Sequence, residues 1–387
     1  MGHELSALVE ACGELVDRVA ITPAQEMHAA IAGRVFGAVG PLSAPVRLVH
    51  DRVAALSYGS VRLATLAAAG GAAATLRLAA GEREIRPLSR SARGRFLISA
   101  ANGLMGDLLA ERQSDLAIPM SLRRAGEDVG HDAGSLATEW PKPTSRVAIF
   151  LHGLGETEEL WSRRADGRRR IDFGHGLRTE LGITPLLVRY NSGRTVASNG
   201  KELARLLEAI VRGWPVPVSD LVLLGHSMGG LVIRSACEGS PSWLTLLRHV
   251  VTLGAPHTGA PIEKGIHLAA KALGLLPEAR PLAAVLDARS AGIRDLRLGI
   301  DSTIPAAVAH TFIGATLSES PNHLLGWAMG DLLVRTDSAA GRHVHRGRTV
   351  SEESAVHLGG LSHFDLLDHP LVYLQIKEAL ARSMARG

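Results

Sequence analysis

Cysteine is nearly absent from this sequence, which has 2 cysteines among 387 residues. Cys12 and Cys237 fall in what the sequence pattern indicates are different structural units, so no disulfide framework is expected. This usage is typical of a reducing compartment, and we expect a cytoplasmic protein. The first residues carry Glu4, Glu10 and Glu14 where a secretory signal would have basic residues and then an apolar core, so no signal peptide is expected.

Long hydrophobic runs are also scarce. The stretch most like a membrane span is LATLAAAGGAAATL at 63–76, which consists largely of alanine and glycine and is bounded by Arg62 and Arg77. It is shorter than the roughly 20 residues that a spanning helix needs. The sequence therefore predicts a buried helix or helix pair at 63–76.

The chain carries little net charge. Lysine and arginine number 42 and aspartate and glutamate 38, which gives a formal charge of +4. This excess is slight and spread along the chain, so nucleic acid is not expected as a partner. Arginine is concentrated in SRRADGRRR at 162–170, where a solvated loop is favoured and a contact for anionic head groups or an acidic substrate is the alternative.

What the sequence does have is a hydrophobic share of 46%, enough for a soluble globular protein of two structural units. The first part, 1–112, has helical periodicity and no assigned role. Its first amphipathic face is formed by Leu5, Leu8, Val9, Cys12, Leu15, Val16 and Val19. In TPAQ at 22–25, Thr22 is predicted to cap a second helix, which Gly40-Pro41 ends. Further helices are predicted at about 44–58, 60–80 and 95–112, with a charged connector at 81–95.

From residue 113 the pattern changes to short apolar runs that alternate with helices. Strands are predicted at 119–129 and within 146–155, 184–191, 219–230, 248–261 and 309–318. Such alternation favours an α/β fold, a mostly parallel sheet with helices on both faces. Ligands bind at the carboxyl ends of the strands in sheets of this kind. An apolar helical insertion at about 262–305 interrupts the pattern and is predicted to form a lid over that edge.

The segment LGHSMGG at 224–230 contains the pattern G-x-S-x-G between a predicted strand and a predicted helix. In this context the pattern indicates a nucleophile elbow, a strained turn that exposes a serine hydroxyl above the sheet. The following helix directs its amide end at the charge that develops during reaction. Ser227 is therefore the candidate nucleophile.

Several ordered motifs, namely LHGLGET, LGHSMGG, GAPHTGAP, GDLLVRTDSA and LSHFDLLDHPLVY, make residues 115–387 resemble the lipase-like esterase branch of the α/β-hydrolase superfamily. Within it, the chain is similar to the GPI inositol-deacylase (PGAP1-like) group. The resemblance implies a catalytic triad in the order serine, acid, histidine. It also implies an oxyanion hole formed by the backbone N–H groups of Leu154 and Met228. His152, in LHGLGET, is interpreted as an imidazole that holds the loop backbone.

The triad acid implied by the resemblance is Asp331, in GDLLVRTDSA. This chain has Leu332 and Arg335 where the family pattern has glycine and proline. Asp337 is the alternative acid. Asp331 is favoured because the acid must directly follow its strand to reach the histidine.

The candidate base is His363, which lies in a glycine-led loop just before the last helix and can reach the nucleophile and the acid together. His357 and His369 are interpreted as loop or helix-start residues. His343 and His345 lie two positions apart without nearby carboxylates or thiols, so no metal site is predicted there.

The predicted function is hydrolysis of carboxylic esters, with apolar or lipid-like acyl groups, through an acyl-enzyme and without a cofactor. The apolar stretch 265–286 is interpreted as a lid or a wall for an acyl chain, and an ordinary pair of packing helices is an equal alternative. An acyltransferase or thioesterase with the same triad is the alternative. In a different class, the protein would dock to a membrane or a partner and keep the hydrolase only as a scaffold. Membrane or lipid-surface contact through the N-terminal helices also stays open as an added role.

Overall fold

The computed structural model describes residues 3–82, 87–162, 171–257, 290–298, 304–316 and 355–385. These residues form two compact units. The first contains the described residues up to 98 together with 111–116. The second contains 99–110 and the described residues from 117 onward.

The first unit is helical, as predicted. Its main helices are α1 (His3–Val16), α2 (Thr22–Val39) and α3 (Ala44–Glu82), and a π-helical turn at Asp17–Ile21 joins α1 to α2. Gly40, with a φ of 84°, follows α2, which confirms the predicted end of that helix. The predicted cap is wrong, because α2 continues from helical backbone at Ile21 and the Thr22 side chain donates instead to Asp17.

Residues 63–76, predicted to form a buried helix or helix pair, are helical, but most of them are not buried. Residues 44–82 form one continuous helix rather than two, and Ala73 is the one buried residue within 63–76. Small residues line the contact between α1 and α3, so the two helices approach closely there. A Cβ added to Gly13 on α1 would lie 2.7 Å from the Cβ of Ala69 on α3. Small residues thus occupy the contact between these helices, and many of the large apolar residues of α3 face solvent.

Polar contacts join the same helices. The Arg62 guanidinium on α3 donates to Asp17 at 2.7 Å and also binds Thr22 and Gln25. Arg77, farther along α3, donates to Ser6 and pairs with Glu10 on α1. The arginines that bound the apolar stretch therefore attach α3 to its neighbours.

The second unit is built on an eight-stranded sheet with the order β2-β1-β4-β3-β5-β6-β7-β8. Its strands are β1 (Ser121–Arg124), β2 (Glu127–Val129), β3 (Arg146–Leu151), β4 (Thr184–Arg189), β5 (Asp220–His226), β6 (Leu247–Leu253), β7 (Ala309–Thr316) and β8 (Ala355–Gly359). The strands from β3 onward pair in parallel, and β1 is antiparallel to both neighbours. The single strand predicted at 119–129 is in fact the hairpin β1–β2, and β8 was not predicted.

Helices cover both faces of this sheet. They are α5 (Ala133–Glu139), α6 (Phe173–Leu181), α7 (Val196–Gly213), α8 (Met228–Ala236), α9 (Ala291–Leu298) and α10 (Pro370–Met384). Along β3, Val147 and Ile149 pack in the core with α7 and α8, whereas Ala148 and Phe150 pack in the core with α6 and α10. Successive side chains of a strand point to opposite faces, so a strand covered on both faces is apolar throughout. The predicted α/β-hydrolase fold, a mostly parallel sheet flanked by helices, is confirmed.

One further helix, α4 (Ala92–Glu111), contributes to the sheet unit. Its residues 99–110 cluster with that unit, although the predicted N-terminal region extends to 112. The Ser99 hydroxyl donates to the Glu156 carbonyl, and Asn191 donates to the Gly106 carbonyl at 2.8 Å. Of the predicted insertion at 262–305, only α9 and its flanking residues 290, 304 and 305 are described.

Candidate active site

Ser227 lies between β5 and α8 in a backbone conformation that is rare for a residue with a side chain, with φ 50° and ψ −120°. The turn is crowded: a Cβ on Gly229 would lie 2.7 Å from the carbonyl oxygens of Leu151 and His152. Only glycine fits at such a position. The sequence therefore produces the sharp strand-to-helix turn that the motif predicts.

The surroundings of Ser227 hold its backbone while leaving the residue partly exposed. Its N–H donates to the Leu253 carbonyl at 2.8 Å, which ties the elbow to the end of β6. Met228 is the buried first residue of α8. Its N–H belongs to the amino end of that helix, where the unpaired amides favour negative charge.

The loop after β3, residues 152–157, is called here the β3 loop. Gly153 N–H donates to the Glu156 carboxylate at 2.6 Å, and Gly155 N–H donates to the Ser192 hydroxyl at 2.9 Å. Leu154, the other predicted oxyanion donor, lies between these two anchored residues and is partly exposed. The β3 loop is thus fixed on both sides of Leu154.

His152 is fully buried and stacks on the Tyr190 ring at 4.4 Å between centroids. Its Nε2 accepts from the Tyr190 N–H at 3.3 Å, so Nδ1 carries the proton and donates to the Gly153 carbonyl at 2.8 Å. Burial lowers the pKa of the His152 imidazole, which favours this neutral form. These contacts are those of an imidazole that holds the loop backbone.

His363 begins a short 3₁₀ helix, His363–Leu367, whose start is fixed by a capping box between Ser362 and Asp365. Its side chain is buried, and its ring lies 4.6 Å from that of His226, the residue before Ser227. A Cβ on Gly254, directly after β6, would lie 2.8 Å from the His363 ring. The structure therefore brings His363 to the strand ends that carry the elbow. Asp331 and the alternative Asp337 lie outside the described residues.

Two further buried side chains were missed by the sequence analysis. The Glu156 carboxylate binds Nδ1 of His226 at 2.9 Å, and Nε2 of His226 donates to the His363 carbonyl at 3.2 Å. Burial by itself would raise the pKa of the Glu156 carboxyl, but the charge and hydrogen bond of His226, with the Gly153 N–H, hold that pKa below its usual value. The Glu156 carboxyl is therefore ionised and hydrogen-bonded to the His226 imidazole. An acidic residue in the glycine-rich stretch HGLGET was the available signal.

The other histidines considered in the sequence lie at a helix start, in a strand or outside the described residues. His369 is the N-cap of α10, where its Nδ1 accepts from the Leu371 N–H at 3.2 Å, as expected of a helix-start residue. The prediction that His357 is a loop or helix-start residue is wrong, because His357 lies in β8, where its Nε2 is 2.9 Å from the Thr316 hydroxyl. His343 and His345 lie outside the described residues. Within the described segments, no three His, Cys, Asp or Glu side chains are grouped to hold a metal ion.

Residues 190–271, which include the elbow, match the model of the PGAP1-like alpha/beta domain family. The predicted resemblance to the PGAP1-like group is confirmed over that stretch. Among curated proteins, none is similar enough to the chain to count as a relative.

The solved structures that this chain matches include a lipase and an esterase. The mature Bacillus licheniformis lipase BlEst2 is 17% identical, with a TM-score of 0.45 over 68% of this chain and 99% of the lipase. The thermophilic esterase from Thermogutta terrifontis is 13% identical, with a TM-score of 0.37 over 62% of this chain and 91% of the esterase. The sheet order and the family match over 190–271 show the fold.

Proposed function

We propose that this chain is a serine hydrolase that cleaves carboxylic esters through Ser227, His363 and Asp331. One observation carries the proposal. Ser227 lies at φ 50° between β5 and α8, and the buried His363 ring lies beside the residue that precedes it. A serine hydroxyl is a weak nucleophile that needs an adjacent base. The position of the His363 ring next to that of His226 supports His363 as this base.

The proposed reaction passes through an acyl-enzyme. His363 takes the proton of the Ser227 hydroxyl as its oxygen attacks the ester carbonyl, and the N–H groups of Leu154 and Met228 stabilise the oxyanion. The tetrahedral intermediate then expels the alcohol, which receives the proton from His363. Water repeats the sequence to release the acid. Asp331 is proposed to orient the imidazole, and no cofactor takes part.

The proposed substrates are esters with apolar or lipid-like acyl groups. The support is the apolar composition of 265–286, a segment that the sequence places after the β6 end of the same sheet. An acyltransferase or thioesterase would use the same residues. The difference is whether water or another acceptor attacks the acyl-enzyme.

The test is turnover of p-nitrophenyl esters of increasing acyl length, together with fluorophosphonate labelling and mass mapping of the adduct. We expect the label on Ser227, a preference for longer chains, and a loss of kcat/KM of at least about 10³-fold in Ser227→Ala. Activity unchanged in that variant would remove Ser227 as the nucleophile. With an added alcohol or thiol, release of the transferred product instead of the free acid would indicate an acyltransferase.

A second proposal concerns the first unit: contact of α3 with a lipid surface. The stretch Pro41–Leu78 is long and apolar enough to cross a membrane, by length and composition alone, and its most apolar 18-residue window contains no buried residue. Large apolar residues recur there at intervals of three and four, and more than half of each of these side chains is exposed: Leu42, Val46, Val49, Val53 and Leu56. Such a stripe beside the exposed Arg52 suits an anionic lipid surface.

A further inference from the structure

The β3 loop, the elbow and the His363 turn come from three distant parts of the chain, and one pair of side chains connects them. Glu156 belongs to the β3 loop, and His226 is the last residue of β5, directly before Ser227. Through the two ring nitrogens of His226, the Glu156 carboxylate is linked to the backbone carbonyl of His363. The link therefore spans the oxyanion donor, the nucleophile and the base of the proposed reaction.

The proton positions in this link follow from the donors and acceptors present. A backbone carbonyl can only accept, so Nε2 of His226 carries a proton and donates to the His363 carbonyl. Glu156 already accepts from the Gly153 N–H at 2.6 Å and is held in its ionised form. Nδ1 of His226 is therefore also protonated and donates to the carboxylate.

The pair is buried among aromatic side chains. His226 is fully buried, and the Glu156 side chain is 8% exposed. The rings of Trp161 and Phe364 lie within 6.5 Å of the His226 ring. A charge pair in such a place resists separation, because removing either partner leaves the other charge buried and uncompensated.

We infer that Glu156 and His226 are positioning residues for the proposed ester hydrolysis: their buried ion pair holds the β3 loop and the His363 turn in register around Ser227. The inference depends on the proposed function for its catalytic meaning. The link itself is a property of the fold. Displacing either end moves an oxyanion donor or the base, and misplacement of such groups reduces turnover more than substrate binding.

The test compares full-length variants whose hydrogen bonding differs in one respect. Glu156→Ala removes the link, whereas Glu156→Gln can keep it, since the amide accepts from Gly153 N–H and donates to a neutral His226. His226→Asn keeps a donor for Glu156 but is too short to reach the His363 carbonyl. The matched control is Glu158→Ala, which removes an equally buried carboxylate of the adjoining segment, one that pairs with Arg123 at 2.9 Å.

Two measurements separate positioning from stability alone. The first is kcat and KM for p-nitrophenyl butyrate. We expect kcat to fall roughly 10- to 100-fold in Glu156→Ala and His226→Asn with KM nearly unchanged, less than the loss of a whole oxyanion donor. The second is hydrogen exchange without substrate: residues 363–368 should exchange faster in both variants. Glu156→Gln should stay close to the wild type, and Glu158→Ala should lower the melting temperature without either effect.

Failure of the proposed hydrolase function and failure of the Glu156–His226 link give different results. A wild-type protein that cleaves no ester overturns the hydrolase proposal, and the exchange experiment still decides whether the link exists. Unchanged exchange at 363–368 in both His226→Asn and Glu156→Ala contradicts the link. Equal kcat losses in Glu158→Ala and Glu156→Ala reduce Glu156 to a structural residue. If Glu156→Ala does not fold, the comparison of His226→Asn with Glu156→Gln decides the question.

Discussion

Gly254 lies directly after β6, with a φ of 58°, at the point where the His363 ring approaches the backbone. A Cβ at this position would lie 2.8 Å from Cε1 and 2.9 Å from Nδ1 of His363. Real Cβ contacts are longer than this, so a side chain here would displace the imidazole or the backbone. The residue therefore sets the space available to the proposed base.

We expect Gly254→Ala to lower both stability and activity. The left-handed backbone costs an alanine about 1–2 kcal/mol, and the contact with His363 adds to this cost. Because the clash falls on the proposed base, kcat should fall by more than the loss of stability explains. Thermal unfolding and kcat for a short p-nitrophenyl ester measure the two effects.

Gly239→Ala is the matched control for that variant. Gly239 has a φ of 74°, and a Cβ there would meet open space, so the substitution carries the backbone strain without the clash. We expect Gly239→Ala to lower the melting temperature by the part that the left-handed backbone contributes in Gly254→Ala. Its kcat should be unchanged. Equal kcat values in the two variants would show that the His363 ring does not depend on the space at Gly254.

Among single residues, those that belong to a local sequence pattern could be predicted from the sequence. Ser227 is identified by G-x-S-x-G between a strand and a helix, because the turn itself requires those glycines. Glu156 lies in the glycine-rich stretch HGLGET and His226 in the elbow motif, but neither pattern indicates their contact, which joins positions 70 residues apart. A buried charge pair depends on which loops meet in the fold. Ser227, His363 and Asp331 as a triad remain a proposal.

At the scale of single elements, α3 is the least expected part of the molecule. Its many alanines favour a helix, but its small residues do not indicate which side of that helix is covered. Small residues suit close helix contact, so α1 packs against them, and the valines and leucines are left on the exposed side. The exposed apolar stripe defined above is the result.

We expect replacement of three residues of this stripe to weaken lipid binding. In the full chain, Val46→Ser, Val49→Ser and Val53→Ser together remove apolar area that would enter the headgroup region. Their side chains are 57–64% exposed, so their loss should cost little folding stability. The measurement is co-sedimentation with vesicles of phosphatidylglycerol and phosphatidylcholine, at low and at high salt.

The control is Leu371→Ser, which removes a leucine that is 53% exposed on α10 in the other unit. It should bind vesicles like the wild type. Absence of wild-type binding at both salt concentrations would refute the lipid contact. If the wild-type protein instead dimerises with increasing concentration and the triple variant stays monomeric, the stripe binds a second copy of the chain.

The strands show why some elements could be predicted and others not. β3, β5 and β6 are buried on both faces and therefore read as continuous apolar runs. β8 is only partly buried along most of its length, so its residues carry no clear apolar pattern. The hairpin β1–β2 resembles one strand in sequence, because its turn, Ala125-Gly126, interrupts the segment with only two residues of positive φ.

At the scale of the whole molecule, the core of the sheet unit contains several buried histidines that the proposed reaction does not use. Among them, His249 on β6 contacts the Thr311 hydroxyl on β7 through Nε2 at 2.9 Å. Burial, helped by the nearby charge of Arg382, lowers the pKa of His249 to about 4. Burial and the Arg234 charge also lower the pKa of His257 and of His310. These imidazoles are neutral in the folded protein at neutral pH.

Stability should therefore fall as the pH decreases below about 6.5. In the unfolded chain a histidine binds its proton near that pH, whereas the folded His249 stays neutral down to about pH 4, so the unfolded state takes up more protons in between. For His249 alone the expected loss of unfolding free energy between pH 7 and pH 5 is about 2 kcal/mol.

His249→Gln keeps a donor for Thr311 and cannot titrate, and should reduce this loss of unfolding free energy by about 2 kcal/mol. Urea denaturation at both pH values measures this, with His175→Gln, an exposed position on α6, as the control. The same pH dependence in His249→Gln as in the wild type would mean that this imidazole is already charged in the folded protein, and that its surroundings in the core are wetter than the packing of β6 against β7 implies.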